Sequence, residues 1–191
     1  MNNKIEEFKT ADLEDTKFVH PVKISYIQNG ISKNWEAVKS FDSVAVLLFH
    51  EEKNAFLLVK QFRPPVYLND NSKVCTYELC AGIVDKEKSL EKIVQEEIDE
   101  ECGYEVPLNC IEKITSFYTN VGVSGGCQTL YYAKIDESMR KHKGGGINDE
   151  EIELLYLPLE DYKEFMFDES KAKTPGLLFS FLWFLENKKS Q

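Results

Sequence analysis

The feature that most constrains this chain is a helix-like segment with acidic residues where an apolar surface is expected. Within residues 89–104 the apolar residues recur at helical spacing: Leu90, Ile93, Val94 and Ile98. At about 100° per residue, Glu97 and Glu101 fall inside this stripe and Glu100 borders it. A solvated acidic face is the ordinary alternative, but such a face would lie opposite the stripe. Because a buried unpaired charge is costly, the two inward carboxylates indicate a bound divalent cation.

The remaining metal-binding residue types favour oxygen coordination. Only three histidines occur, His20, His50 and His142, and they are far apart in the sequence. No CxxC pair accompanies the five cysteines. These observations disfavour a zinc site and favour a hard ion held by carboxylates, so we expect Mg²⁺, with Mn²⁺ as the alternative.

Charge and composition restrict the partners and the compartment. The formal net charge of the 191-residue chain is -10, which argues against nucleic acid or an anionic membrane as a partner. The longest apolar stretch, residues 177–185, is shorter than the ~18 residues that a membrane span needs. An odd number of cysteines and the lack of a secretory signal predict reduced thiols and a cytoplasmic location.

The order of predicted elements indicates an α+β fold. Asn29-Gly30 joins two alternating segments, which predicts an N-terminal antiparallel hairpin. Further strands are predicted near residues 44–49, 56–61, 74–79, 112–118, 129–135 and 152–157. We expect Gly82 to open a loop into the acidic helix, Ser89 to cap that helix, and a buried helix to end the chain. Such a pattern predicts a mixed sheet with helices packed on it.

Residues 82–104 resemble a Nudix box, which reads G, five residues, E, seven residues, then R-E-U-x-E-E-x-G-U, where U is apolar. The matching positions are Gly82, Glu97, Ile98, Glu100, Glu101, Gly103 and Tyr104. Two positions depart from the motif, because Lys88 replaces its first Glu and Glu96 replaces its Arg. Both departures reverse the charge, so we hypothesise that a Lys88–Glu96 pair replaces the Glu–Arg pair of the family.

The resemblance extends from about residue 26 to residue 185. Matching stretches are YIQNG, DSVAVLLF, LVKQFRPPVY, YELCAGIVD, EECGY, GGGIN, LPLE and SFLWFL. They are most similar to the nucleotide-sugar pyrophosphatases of animals that act on uridine diphosphate glucose, which are related to the ADP-ribose pyrophosphatases. The resemblance implies a Nudix fold, with a mixed β-sheet sandwiched between helices, over residues 43–191. It also implies that residues 1–42 form a β arm that is exchanged in a homodimer.

The resemblance also implies a metal site. Glu97 and Glu101 would be metal ligands, Glu100 would bind the metal or orient water, and Ala81 would offer its backbone carbonyl to the ion. Glu100 and Glu101 thereby belong to the predicted catalytic residues.

Three residues outside the box are implied to bind substrate. Arg63 would hold phosphate, a task that suits the guanidinium fork, although an ordinary surface arginine is the alternative. Glu78 would contact the substrate or metal-bound water, or would simply be an acid at a strand edge. Trp35 would stack on the nucleobase across the dimer, or would pack in the core beneath the hairpin. The glycine-rich loop of residues 122–126, with Gln128 beyond it, would border the sugar site.

The general base is expected on the loop after the Gly144-Gly145-Gly146 run, whose glycines would permit closure. Alignment on the following strand favours Glu150, with Asp149 and Glu151 as alternatives, and each could instead be a solvated loop acid.

The function implied is Mg²⁺-dependent hydrolysis of the diphosphate of nucleoside diphosphate sugars, such as UDP-glucose to UMP and glucose 1-phosphate. An ADP-ribose diphosphatase is one alternative. The other is an inactive Nudix module that binds nucleotide sugars, for which Lys88 and Glu96 are the only support in the sequence.

Overall fold

A computed structural model of the protein describes residues 5–11, 16, 19–147 and 150–188. Its first element is the predicted antiparallel hairpin, formed by β1 (His20–Gln28) and β2 (Ile31–Lys39). Asn29 and Gly30 make the turn with φ values of 55° and 79°, as the favoured two-residue hairpin turn requires. The hairpin forms a two-stranded sheet of its own and is largely exposed.

Eight further strands form one mixed sheet. In chain order they are β3 (Ser43–His50), β4 (Ala55–Gln61), β5 (Thr76–Glu78), β6 (Cys80–Ile83), β7 (Ile111–Tyr118), β8 (Cys127–Ile135), β9 (Ile152–Pro158) and β10 (Ala172–Lys173). Strand β3 is parallel to β8 and β5 is parallel to β10, whereas the other pairings are antiparallel. The α+β class and the mixed sheet predicted from the sequence are confirmed.

The two central strands, β3 and β4, pair only at one end and then diverge. Residues Leu48–His50 of β3 pair with Ala55–Leu57 of β4. Beyond that point β5 pairs with β4, and β6 pairs with β3. Strands β5 and β6 are consecutive in the chain and are separated only by Leu79, so together they fill the gap between β3 and β4. Gly82 therefore lies within a strand, and the expectation that it opens a loop was wrong. The divergence of the strands opens the sheet where the predicted site residues converge.

Helices cover both faces of the sheet. Their bounds are α1 (Pro64–Asn69), α2 (Leu90–Glu97), α3 (Tyr162–Phe167) and α4 (Pro175–Asn187). The side chain of Ser89 caps α2 as predicted, by accepting a hydrogen bond from the backbone N–H of Lys92. Ile93, Val94 and Ile98 pack on one face of the sheet, while α3 and α4 pack on the other. The predicted sandwich of helices around the sheet is thus present.

Two short helices were not foreseen. Pro64 and Pro65, interpreted as residues that fix a loop, instead begin α1, because proline suits the first turn of a helix. Helix α3 is only one and a half turns long, and burial of Phe165 rather than a long apolar repeat holds it to the sheet. Among the described residues no helix is long and apolar enough to cross a membrane.

Candidate active site

A cleft of about 400 Å³ opens where β3 and β4 diverge. Its lining combines charged and neutral polar residues: Ser43, Gln61, Arg63, Glu78, Ala81, Gly82, Ile83, Glu97, Glu101, Gln128 and Glu150. Six of the predicted site residues therefore meet in one place, although they come from four separate parts of the chain. They are Arg63, Glu78, Ala81, Glu97, Glu101 and Glu150.

The cleft brings Glu97 against the backbone of Gly82. A Cβ atom added at Gly82 would overlap the Glu97 carboxylate, so only glycine permits this close approach. The first glycine of the box is thus explained by a contact between β6 and the last residue of α2. Burial, together with the nearby charge of Glu100, raises the pKa of Glu97 to about 7.

Glu101 is the most deeply buried acid of the cleft, with 5% of its surface exposed. Its Oε2 atom accepts a hydrogen bond of 3.0 Å from the backbone N–H of Ala81, and the Cys80 thiol also donates to this carboxylate. Burial raises its pKa to about 8 despite these hydrogen bonds, with a smaller contribution from the charge of Glu97. Both acids therefore sit where a cation would stabilise their ionised forms.

The acidic segment does not continue as an α-helix. Residues Ile98–Cys102 form a π-helical turn that ends at Gly103, whose φ of 77° is left-handed. In this wider turn the carbonyls of Glu100 and Glu101 accept hydrogen bonds from outside the helix. Gly146 donates to Glu100 at 3.2 Å and Gly145 donates to Glu101 at 2.8 Å. Single π turns of this kind occur frequently at functional sites.

The glycine run predicted to let a loop close is instead docked on this π turn. Gly144, Gly145 and Gly146 all have positive φ values, of 67°, 113° and 84°. Their docking carries the chain back over the cleft, where Glu150 lines the wall. The Glu150 carboxylate accepts a 3.0 Å hydrogen bond from the backbone N–H of Ile147, which holds it there.

Of the three acids considered as the general base, Glu150 alone is a described residue of the cleft wall. Glu151 is exposed and is not among the residues that line the cleft. Asp149 lies outside the described residues. Glu100 is partly buried on the π turn and is likewise absent from the cleft lining, although its charge reaches Glu97. The roles of Glu100 and Glu150 remain predictions.

Arg63 and Glu78 form a bidentate ion pair in the cleft. Arg63 donates from Nε to Glu78 Oε1 at 2.8 Å and from Nη2 to Oε2 at 2.9 Å. The hydroxyl of Thr76 also donates to Glu78 Oε1, at 2.5 Å. Because a guanidinium has five N–H groups, three remain after this pairing. Glu78 therefore holds the plane of Arg63, a contact that neither sequence interpretation of Glu78 had included.

Trp35 does not line this cleft. It is 53% exposed on β2, and its indole N–H donates a 2.9 Å hydrogen bond to the carbonyl of Gly122 in the loop after β7. It is not a core residue beneath the hairpin, so that alternative was wrong. Within a single chain it lies apart from the acids of the cleft, and its predicted stacking across a dimer stays a prediction.

The sequence reasoning missed Ser43, Gln61 and Ile83, and it placed Gln128 at the border of the sugar site only by family resemblance. These are single polar or apolar residues at strand ends, where no motif or periodic pattern distinguishes them. Gln128 Nε2 donates a 3.2 Å hydrogen bond to Ser43 Oγ, although the residues are 85 positions apart. Only the pairing of β3 with β8 brings them together.

The donor set of the cleft fits a hard divalent cation. Glu97 and Glu101 offer carboxylate oxygens, and Ala81 lies beside them on β6. Within the described part of the chain, however, no three His, Cys, Asp or Glu side chains already converge as a metal cluster. The arrangement thus supplies oxygen donors of the kind that a hard divalent cation binds.

Comparison with protein families agrees with this geometry. A model of the NUDIX domain matches residues 39–175, well over half of the chain. The chain belongs to the Nudix family. The family resemblance expected from residues 82–104 is thereby confirmed, and the box lies inside the matched region.

Curated members of the Nudix family resemble the chain over most of its length. Uridine diphosphate glucose pyrophosphatase of Bos taurus is 32% identical, covering 95% of this chain and 94% of the relative. The enzyme of the same name from Mus musculus is 31% identical, covering 87% and 88%. GDP-mannose pyrophosphatase of Cronobacter sakazakii is 37% identical, with 64% of this chain and 63% of the relative covered.

Proposed function

We propose that the protein hydrolyses the diphosphate of nucleoside diphosphate sugars in a Mg²⁺-dependent reaction, converting UDP-glucose and water to UMP and glucose 1-phosphate. The observation that carries this proposal is the shared cleft of Arg63, Glu97 and Glu101. It combines a phosphate-binding cation with buried acids that attract a metal ion. Relatives named for UDP-glucose and GDP-mannose cleavage support this substrate class.

The residues have distinct proposed roles. Arg63 binds phosphate oxygens through the N–H groups that Glu78 leaves available. Glu97 and Glu101, with Glu100 and the carbonyl of Ala81, hold the divalent ion. When bound, Mg²⁺ or Mn²⁺ neutralises phosphate charge and acidifies water. Glu150 accepts a proton from the attacking water, since its carboxylate faces the cleft from the docked loop.

The test of this function is product analysis with UDP-glucose and with ADP-ribose, each in Mg²⁺ and in EDTA. We expect UMP and glucose 1-phosphate from UDP-glucose in Mg²⁺ alone, and none from Glu101→Gln under the same conditions. Faster release of AMP and ribose 5-phosphate from ADP-ribose would favour the ADP-ribose diphosphatase alternative. Binding of both substrates without turnover would support the inactive module and overturn the proposal.

The quaternary arrangement proposed for this function is a homodimer with exchanged arms. The hairpin of β1 and β2 exposes an apolar row, with Ile24 45% and Trp35 53% accessible. These two residues are cross-strand partners, so they lie on one face of the hairpin. A second chain packed there would bring Trp35 to the partner's cleft, where its ring would stack on the nucleobase.

The experiment for this arrangement is light scattering of the wild type and of Ile24→Asp. A dimeric wild type and a monomeric, folded variant are expected, and a monomeric wild type would overturn the exchanged arm. We also propose a cytoplasmic location, because the fully buried Cys80 and Cys102 are free thiols, as is usual in a reducing compartment. Fractionation of the source cells tests it.

A further inference from the structure

The cleft has two chemically different sides, which lie on opposite faces of the sheet. Side chains alternate between the faces of a strand. Glu78 is in phase with Cys80, which packs in the core beneath α2, and Glu97 and Glu101 approach from that same side. Ser43 is in phase with Ala45 and Leu47, which pack in the core beneath α4. Ser43 and the acids of the cleft therefore lie on opposite faces of the sheet, while Gln61, in phase with Val59, is the one neutral polar residue of the described lining on the side of the acids.

The neutral side is a row across three neighbouring strands. Ser43 on β3 is registered with Ile83 on β6 at one edge and with Gln128 on β8 at the other. Gln128 is in phase with Leu130 and Tyr132 of the core beneath α4, so it points to the same face as Ser43. We refer to Ile83, Ser43 and Gln128 as the neutral row.

The amide of Gln128 makes one hydrogen bond and one close contact. Its Nε2 atom donates to Ser43 Oγ at 3.2 Å. Its Oε1 atom lies against the first turn of α4, where a Cβ atom added at Gly176 would be only 3.0 Å away. The amide is thus oriented, with one N–H engaged by Ser43 and a second N–H remaining to donate. The Ser43 hydroxyl accepts this bond and keeps its own proton for another acceptor.

An oriented amide beside a hydroxyl, next to one apolar residue, suits an uncharged group with several hydroxyls. The diphosphate of a substrate would not bind at the neutral row, because the cationic Arg63 and the acids that attract a metal ion lie on the opposite face of the sheet. A nucleobase suits the row less well, since bases bind by stacking on aromatic rings. None of the described residues lining the cleft is aromatic, and the ring of Phe117, which is registered with Gln128, packs against the core beneath α4.

We propose that the neutral row binds the glycosyl group of the substrate and that Gln128 and Ser43 determine which sugar is accepted. This inference rests on the proposed function and adds a sugar-recognition site to it. The nucleoside would then extend from the opposite end of the diphosphate. A sugar with a hydroxyl group in the right position would form a hydrogen bond with the oriented amide. A sugar isomer without it would leave the amide N–H unpaired, and this cost in binding free energy would disfavour that isomer.

The experiment measures kcat/KM for UDP-glucose, UDP-galactose and ADP-glucose with the wild type, Gln128→Leu and Ser43→Ala. UDP-glucose and UDP-galactose differ only in the configuration of one sugar hydroxyl. UDP-glucose and ADP-glucose differ only in the nucleoside. We expect the wild type to prefer one UDP-hexose by about tenfold or more. Both variants should reduce that preference several-fold and leave the ratio of UDP-glucose to ADP-glucose unchanged.

Two further variants control the interpretation. Gly176→Ala should change the hexose preference in the same direction as Gln128→Leu but to a smaller extent, because the added methyl group would crowd Gln128 Oε1 at 3.0 Å and Phe117 Cζ at 3.2 Å without removing the amide. Ser116→Ala removes a hydroxyl that bonds Thr129 at 3.0 Å outside the cleft, and it should leave both ratios unchanged. Melting temperatures identify any variant that fails to fold, and the remaining variants then decide.

The outcomes separate this inference from the proposed function. An unchanged hexose preference with an altered nucleoside preference would overturn the neutral row as the sugar site and assign it to the nucleoside. A wild type that does not distinguish the two UDP-hexoses would also overturn it, although hydrolysis itself would stand. Absence of turnover with all three substrates would overturn the proposed function and this inference together.

Discussion

The Lys88 ammonium lies 2.7 and 2.8 Å from the two carboxylate oxygens of Glu96. This ion pair ties the segment before α2 to the outer surface of that helix. Lys86 and Lys92 approach the same carboxylate at 3.9 and 4.0 Å, and Lys88 is the main cause of a lowered Glu96 pKa. The pair hypothesised from the two departures from the Nudix box is therefore formed.

The first prediction concerns the stability that this pair provides. Lys88→Glu should lower the free energy of unfolding by about 1 kcal/mol, because it exchanges an attraction for a repulsion between partly exposed charges. Combining Lys88→Glu with Glu96→Arg should restore most of the loss by recreating the pair with reversed polarity. Denaturant unfolding of the wild type, the single variants and the double variant measures this coupling.

Lys92→Glu is the matched control, since it reverses a lysine on the same helix that is 4.0 Å from Glu96. Its effect should be smaller than that of Lys88→Glu. If the double variant is as unstable as the sum of its single variants, the pair does not substitute for the motif.

Local patterns predicted the acids of the site but not the turn that carries them. The helical phase placed Glu97 and Glu101 inward because it depends only on neighbouring residues. The change to a π turn at Ile98–Cys102 depends on external donors, since Gly145 and Gly146 bond the carbonyls that the turn leaves open. Those glycines lie some 40 residues further along the chain, so no local pattern reveals the contact.

The neutral row was beyond sequence reasoning for a related reason. Ser43 is the first residue of β3 and Gln128 the second residue of β8, and the parallel register of these strands brings them side by side. An isolated polar residue near the start of a strand usually contacts solvent, so no local pattern distinguishes Ser43 or shows that it is a partner of Gln128. The bidentate pairing of Glu78 with Arg63 similarly requires the divergence of β3 and β4, which a list of strands does not contain.

The second prediction concerns the control of Arg63 by Glu78. Glu78→Ala should raise KM for UDP-glucose about tenfold, because loss of two charge-assisted hydrogen bonds frees the guanidinium that we propose to bind phosphate. Thr76→Val should have a weaker effect in the same direction, since it removes one bond to the same carboxylate. Steady-state kinetics that separate KM from kcat measure both.

Arg63→Ala with Glu78→Ala supplies the control for this relationship. If Glu78 acts through Arg63, the double variant should be no worse than Arg63→Ala alone. Additive losses would mean that Glu78 contacts substrate or metal-bound water directly, as the family resemblance allowed.

The third prediction concerns pH and metal. The pKa values of Glu97 and Glu101 are raised in the folded protein, so the folded state binds more protons than the unfolded state above pH 4.5. Their stabilising contribution is therefore complete below pH 4.5 and is lost as the pH rises through about 7 and 8. In EDTA the melting temperature should fall by roughly 5 °C between pH 5.5 and pH 8.5.

Mg²⁺ should oppose this loss, because metal binding requires the deprotonated carboxylates. The increase in melting temperature on adding Mg²⁺ should be larger at pH 8.5 than at pH 5.5. Glu101→Gln should flatten the profile in EDTA and reduce the response to Mg²⁺. A metal response that is independent of pH and survives Glu101→Gln would place the ion elsewhere.

The fourth prediction concerns the contact between Gly146 and Glu150. A Cβ atom added at Gly146 would come within 2.7 Å of Glu150 Cβ and Oε2, so Gly146→Ala should displace the proposed base. Gly145→Ala is the matched control, because its φ of 113° is equally unsuited to alanine while its nearest neighbour is Ile152 O at 3.7 Å. Both variants should lose comparable stability, about 1–3 kcal/mol.

Their catalytic effects should differ. Gly146→Ala should reduce kcat by about a hundredfold and approach Glu150→Gln, as expected for a misplaced general base. Gly145→Ala should retain most of its kcat, since Glu150 keeps its hydrogen bond from Ile147. Equal losses of kcat in the two glycine variants would mean that backbone strain on the π turn limits the reaction. That result would argue against Glu150 as the general base and would point to another acid of the same loop.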